Sequence, residues 1–307
     1  MRAAPPEPWR ARSGSYYCGD SFSTPGASTR PRAALWHWPL ALLAGLAHAA
    51  ALAFPGSGTP QWWLQLASLL ALAWLVRPGT PWRRAAGLGW VFATAWLAGT
   101  FWWLFISMHI YGGLASPLAG AAVLALAAFL ALYYAVSLGL FSALAHTQRA
   151  LSALIFAALW LLAELARGTW WTGFPWGASG YAHVDGPLAA LARSVGVYGI
   201  AAVAAALAML LAQLRRSDLY RPRAWALVVT VAIALAGLSW QRQQAIATPN
   251  PAATAPLTLA LLQGSIPQDE KFQFGSGIPM ALQWYSDQLR NATQQLVVAP
   301  ETAIAVL

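Results

Sequence analysis

The sequence predicts a multi-span α-helical membrane domain of about seven spans, followed by the opening of a smaller α/β domain. Three observations carry this. Hydrophobic residues fill 59% of the 307 positions and charged ones only 9%, against about a quarter charged in a soluble domain. Seven apolar runs, each near the ~20 residues a bilayer crossing needs, succeed one another between Leu35 and Trp240. Beyond them the pattern changes to two short buried-strand runs around one amphipathic stretch.

Taken in order, residues 1–33 are rich in Pro, Ser, Gly and Arg without periodicity and read as a disordered cytoplasmic leader. They contain Cys18, the sole cysteine, so a disulfide framework and a multi-cysteine metal site are excluded. In a reducing compartment Cys18 reads as a bystander thiol. The membrane domain, 34–243, holds the runs Leu35–Phe54, Gln61–Val76, Ala85–Ile106, Pro117–Ala145, Ala150–Ala166, Val195–Leu214 and Ala224–Trp240. The first also fits a signal peptide, because Ala47-His48-Ala49 resembles a cleavage site; the later topology is the same either way. His37, His48, His109, His146 and His183 are scattered without ligand spacing, and no metal is expected.

The net charge of +9 points to membrane topology rather than to nucleic acid. Arg2, Arg10, Arg12, Arg30 and Arg32 precede the first run. Arg77, Arg83 and Arg84 lie in the second connection, Arg149 in the fourth, and Arg215, Arg216, Arg221 and Arg223 in the sixth. The alternate connections and the start of the tail hold only Arg167, Arg193 and Arg242. Positive residues stay cytoplasmic, which puts the amino terminus inside and everything after Trp240 outside. Trp62, Trp63, Trp102, Trp103, Trp170, Trp171 and Trp240 then form an outer interfacial belt.

Residues 244–256, "QAIATPNPAATAP", read as a Pro/Ala/Thr linker. In 257–307 come "LTLALLQ" as a buried strand, "IPMALQWYSDQLRNAT" (278–293) with apolar residues at helical spacing, and "QLVVAP" (295–300) as a second strand. Strand, helix, strand opens an α/β domain with parallel strands. About fifty residues sit at the lower edge of domain size, so this domain is expected to be incomplete.

Two constellations carry chemistry. Glu301 falls just past the second strand, where functional groups cluster in α/β sheets; the alternative is a surface carboxylate capping a following helix or facing water. The other is "WLLAELARGTWWTGFPWGASGYAHVDGPL" (160–188). Glu164 and Arg167, three apart on one helix face, are a functional pair at membrane depth or an ion pair closing the helix end. Gly173, Pro175, Gly177 and Gly180 break the helix after them. With Trp170, Trp171, Phe174, Trp176 and Tyr181 the segment reads as an interfacial loop dipping into the outer leaflet. "SMHIYGGLASPL" (107–118) reads as a second broken outer loop.

"E-x-x-R-G" at 164–168, "TGFPW" at 172–176, "GY" at 180–181, "GVYG" at 196–199, "LLQGSIPQDEKF" at 261–272 and "PETA" at 300–303 occur in this order. Together, over about Leu35 to Leu307, they resemble bacterial apolipoprotein N-acyltransferases. The resemblance implies a multi-pass protein of the bacterial inner membrane with a periplasmic nitrilase-like (carbon–nitrogen hydrolase) domain, an α-β-β-α sandwich. It implies a phospholipid acyl donor, a diacylated lipoprotein acceptor and membrane lipids as partners, no nucleic acid and no cofactor. The family's Glu–Lys–Cys triad passes an acyl chain through a cysteine thioester to the α-amine of a diacylglyceryl-cysteine. Glu301 matches the glutamate, the general base. Glu164, Arg167, Trp171, Phe174, Trp176, Tyr181, Lys271 and Phe272 become substrate-binding candidates. Phe272 stands where many relatives have Trp. Lys271 and Cys18 match neither the family lysine nor the family cysteine. The chain is therefore expected to be an incomplete, inactive member, truncated before the catalytic lysine and cysteine. A non-catalytic multi-span lipid-binding or transport protein with a vestigial tail is the alternative. A membrane-anchored amidase of the nitrilase kind would share Glu301 but leave the aromatic loops unexplained.

Overall fold

The computed structural model describes residues 35–247 and 257–303, except 268, 272, 274 and 302. The expected leader, Cys18, most of the linker and Phe272 lie outside the described residues. Helices stand at the position of each expected apolar run: α1 (His37–Leu52), α2 (Trp62–Leu75), α3 (Trp82–Thr100), α4 (Trp102–Ile106), α5 (Ser116–Leu144), α6 (Arg149–Thr169), α7 (Ala192–Ala212) and α8 (Pro222–Ala247).

Length separates them. Ser116–Leu144, Arg149–Thr172 and Pro187–Ala212 are long and apolar enough to cross a membrane, and Trp82–Thr100 with Trp102–Tyr111 is a fourth if this pair, bent by 54°, counts as one span. α1 and α2 have 16 and 14 residues. At about 1.5 Å per residue they rise roughly 24 and 21 Å, short of a ~30 Å hydrocarbon core. The apolar part of α8 is likewise short, Val228–Gln241. Among the described residues, three spanning candidates, or four with the bent pair, therefore stand where seven runs are apolar.

Two sequence boundaries are corrected. Residues 107–111, read as part of a broken loop, continue the helix of α4 as a π-helical turn, closed by Gly112 N–H donating to Ser107 O at 2.9 Å. No Pro occurs until Pro117, so only 112–115 is left to turn the chain. The expected linker also starts late, because α8 runs through Gln244 to Ala247. Arg, Gln and Ala sustain a helix there, and the first proline is Pro249, which lies outside the described residues.

The core of the helical part is small residues around an aromatic centre. Ala41, Ala44, Ala85, Ala93, Ala127 and Ala131 are buried where α1, α3 and α5 meet, and their short side chains let backbones approach closely, which drives helix packing in lipid. At the centre Trp96 and Trp160 stack with centroids 5.9 Å apart, and Tyr134 lies 5.1 Å from each.

The tail forms β1 (Leu259–Leu261), α9 (Gly277–Asn291) and β2 (Leu296–Val298). The strands pair in parallel, Leu259 opposite Leu296 and Leu261 opposite Val298, as the strand-helix-strand pattern requires. Ala281 and Tyr285 of α9 pack with Ala303 beyond β2 in a core separate from that of the helical part. The Tyr285 hydroxyl accepts the Gly264 N–H at 3.0 Å and so pins the turn after β1. Leu259, Leu261, Leu296 and Val298 stay exposed, leaving apolar sheet surface open.

Candidate active site

The carboxyl end of α6 carries the first constellation. Glu164 and Arg167 are both fully buried. Glu164 Oε1 accepts from Trp160 Nε1 at 3.2 Å, from the Ser179 backbone N–H at 3.2 Å and from Ser179 Oγ at 2.5 Å. Arg167 Nε donates to the Tyr134 hydroxyl at 3.1 Å, and its Nη1 donates to the carbonyls of Phe174 and Trp176 at 2.5 and 2.8 Å. Ion pairing is not what holds the two: among the described residues the ion pairs are those of Asp218 with Arg149 and Arg221. Of the two readings of Glu164 and Arg167, the ion pair closing the helix end is not formed. Each group instead binds the loop that follows, because 173–179 leaves backbone donors and acceptors that no helix satisfies.

That loop needs its glycines. Gly173 has φ +73°, and a Cβ there would meet the Gly168 carbonyl. Gly180 lies so close to the Val197 carbonyl that any side chain would collide with it. Held in this way, the loop presents its aromatics unequally. Phe174 is tucked against Phe101 and Trp176, at centroid distances of 4.8 and 4.9 Å. Trp171, Trp176 and Tyr181 are exposed, Trp171 by 80% at a positive φ of 55°. The other tryptophans of the expected belt, Trp62, Trp63, Trp102, Trp103, Trp170 and Trp240, are exposed as well.

A polar chain that the apolar runs concealed adjoins this site. His48 Nδ1 lies 2.6 Å from Ser68 Oγ, which donates to the Gln65 carbonyl at 2.7 Å. The Gln65 side chain contacts the Ser179 carbonyl at 3.5 Å and His183 Nε2 at 3.1 Å. His48, Gln65, Ser68, Ser179 and His183 are buried. A Gln and a Ser three apart inside an otherwise apolar run were the available signal: polar groups at membrane depth seek partners in the bundle.

The second constellation is in the tail. Both strands end on the same edge because they run parallel, and Glu301 follows the end of β2 as an exposed turn residue. The turn is closed by Ala303 N–H donating to Pro300 O at 3.0 Å, with Ala303 buried against Tyr285 and Ala281. Lys271 is a half-buried turn residue before α9. The structure thus gathers Glu164, Arg167 and the loop aromatics at one site, and puts Glu301 and Lys271 on the separately cored tail.

A family model described as the apolipoprotein N-acyltransferase N-terminal domain matches residues 44–210. The chain is 62% identical over 280 residues to an apolipoprotein N-acyltransferase of Verminephrobacter eiseniae, covering 89% of this chain and 52% of that protein. It is 43% identical over 298 residues to one of Ralstonia nicotianae, covering 93% and 55%. A third, from Pseudomonas putida, is 38% identical over 279 residues, covering 88% and 53%. The chain spans about half the length of these curated relatives. With the family model covering more than half of its own residues, the chain belongs to the apolipoprotein N-acyltransferase family through that family's N-terminal domain.

Proposed function

We propose that this chain serves an apolipoprotein N-acyltransferase, supplying its membrane domain (34–243) and the first part of a nitrilase-like domain (257–307). In this reading seven spans cross the bacterial inner membrane and the tail faces the periplasm. A phospholipid gives up an acyl chain to a cysteine thiolate with release of the lysophospholipid. The α-amine of a diacylated lipoprotein's terminal cysteine then attacks the thioester and frees the thiolate. The observation that carries the proposal is Glu301, the family's PETA glutamate, placed just beyond the carboxyl edge of a parallel strand pair. There it draws the thiol proton and later one from the amine. Within the 307 residues neither Cys18 nor Lys271 matches the family's nucleophile or oxyanion-binding lysine, so the assignment to this chain is the base alone.

The membrane site supports the same reading in a different way. Glu164 binds Ser179 as well as Trp160, and Arg167 binds the Phe174 and Trp176 carbonyls as well as Tyr134, so we assign them the positioning of the loop and its aromatics Trp171, Trp176 and Tyr181 rather than contact with substrate. Those exposed aromatics suit an acyl-bearing ligand at the membrane interface, with Phe174 behind them. The open apolar faces of β1 and β2 are where further layers of a sandwich would pack.

The test is a chromosomal Glu301→Ala change with mass spectrometry of lipoprotein N-terminal peptides. Removing a general base costs about 10²–10⁴-fold, so diacylated peptides should accumulate at the expense of triacylated ones. An unchanged triacylated fraction, with the protein present at its normal level, would overturn the assignment of Glu301.

A further inference from the structure

We propose that the arginine-rich end of the helical bundle is a binding site for an anionic phospholipid, separate from the loop and tail sites. Its observation is a cavity of about 670 Å³ lined by Arg77, Arg84, Arg149 and Arg215. They come from separate parts of the fold: the connection between α2 and α3, the first turn of α3, the start of α6, and the segment after α7. Setting topology requires only that connections be positive; it does not require that four of their arginines line one cavity. No acidic residue lines this one. Asp218 offsets part of the charge from one side, 2.6 Å from Arg149 and 3.7 Å from Arg221. Arg84 contacts His37 Nδ1 at 2.5 Å. An anion in the cavity would relieve the mutual repulsion, and guanidinium forks match phosphate oxygens.

A second feature distinguishes a lipid from free phosphate. The cavity shares Trp74, Arg77 and Leu214 with an apolar groove of about 460 Å³, walled by Leu40, Leu70, Ala71 and Leu211. Arg77 sits at the join, its guanidinium 4.8 Å over the Trp74 ring and its Nε donating to the Trp74 carbonyl at 3.1 Å. A phosphate bound by the arginines would therefore have an acyl-sized apolar path beginning at the same residue. Basic pockets between membrane helices hold anionic lipid headgroups in this manner.

The experiment uses the full-length protein carrying this chain, purified in mild detergent, stripped of lipid and titrated by native mass spectrometry. The titrants are phosphatidylglycerol, phosphatidylcholine and inorganic phosphate. Phosphatidylglycerol should bind in preference to phosphatidylcholine. Arg77→Gln with Arg215→Gln should weaken it about thirtyfold, from roughly a five- to sixfold change for each basic residue near a lipid surface, and leave phosphatidylcholine unaffected. Ala71→Trp, which fills the groove without touching the charges, should weaken phosphatidylglycerol but not inorganic phosphate. Should the double glutamine variant fail to fold, Arg77→Lys with Arg215→Lys keeps the charge and loses the fork, and should weaken binding by less. Equal binding of the two lipids overturns the proposal. So does inorganic phosphate displacing phosphatidylglycerol at equal concentration while Ala71→Trp has no effect, because the cavity would then be a phosphate site only.

Discussion

Arg167 shows how a charged residue is tolerated among buried aromatics. Its fork reaches two carbonyls of one loop and a tyrosine hydroxyl, and only a planar guanidinium offers several donors in that fixed geometry. Lysine keeps the charge and loses the fork, so Arg167→Lys leaves loop carbonyls unsatisfied, at about 1–3 kcal/mol for each such buried group. The expected outcome is a lower melting temperature in detergent together with a loosened 173–179 loop, measured by faster hydrogen exchange there. A variant as stable and as protected as the parent would refute the anchoring role. The E-x-x-R spacing made the shared helix face of Glu164 and Arg167 legible in the sequence. Their partners were not legible, because backbone groups of a loop carry no side-chain signature. Nor was the fate of the aromatics: Phe174 and Trp176 are two residues apart, yet one packs inward on Phe101 and the other is exposed.

Connections between helices are fastened by fewer groups. Asp218 holds the segment after α7 to the start of α6, accepting the Arg215 backbone N–H at 2.8 Å and Arg149 Nη1 at 2.6 Å. The Arg215 N–H, and after it the Arg149 guanidinium, hold its carboxyl below the usual carboxylate range. A lowered folded value means the contribution is fully present above the ordinary value of about 3.9 and is lost as pH falls through the lower folded one. Asp218→Asn should therefore melt below the parent at pH 7, and the two curves should converge as pH drops beneath the lowered folded value. A gap that persists into acid would assign the effect to packing instead of charge. The helices that Asp218 links were readable from apolar runs alone, but their ends were not. The start of α5 is set by a Gly-Gly pair at 112–113 with Pro117, whereas the π-turn before it and the extension of α8 to Ala247 follow from backbone pairing that hydropathy does not register.

The sidedness of the molecule rests on arginine placement, since length alone identifies three or four spanning candidates among the described residues. α1, α2 and the apolar part of α8 are short for a crossing, yet their flanks carry the same asymmetry as the long helices. Arg77, Arg83 and Arg84 follow α2, while Trp62 and Trp63 open it. A short helix can still cross where the bilayer thins or flanking residues snorkel, at a modest cost per ångström of mismatch. If all seven runs cross, Thr147 between α5 and α6 and Thr258 before β1 lie on opposite sides of the membrane. Both are exposed, so each accepts a probe without disturbing a core. Thr147→Cys and Thr258→Cys, each in a Cys18→Ser background and compared with that parent, should respond differently to an impermeant maleimide on intact spheroplasts. The Thr258 variant should gain label at once, and the Thr147 variant only after permeabilisation. Matching behaviour at the two positions would mean an even number of crossings between them, which would remove the short α8 from the membrane and place the tail on the arginine-rich side. Glu301 could not then reach a periplasmic lipoprotein, so this measurement also decides whether the proposed acyl transfer has its base on the correct face.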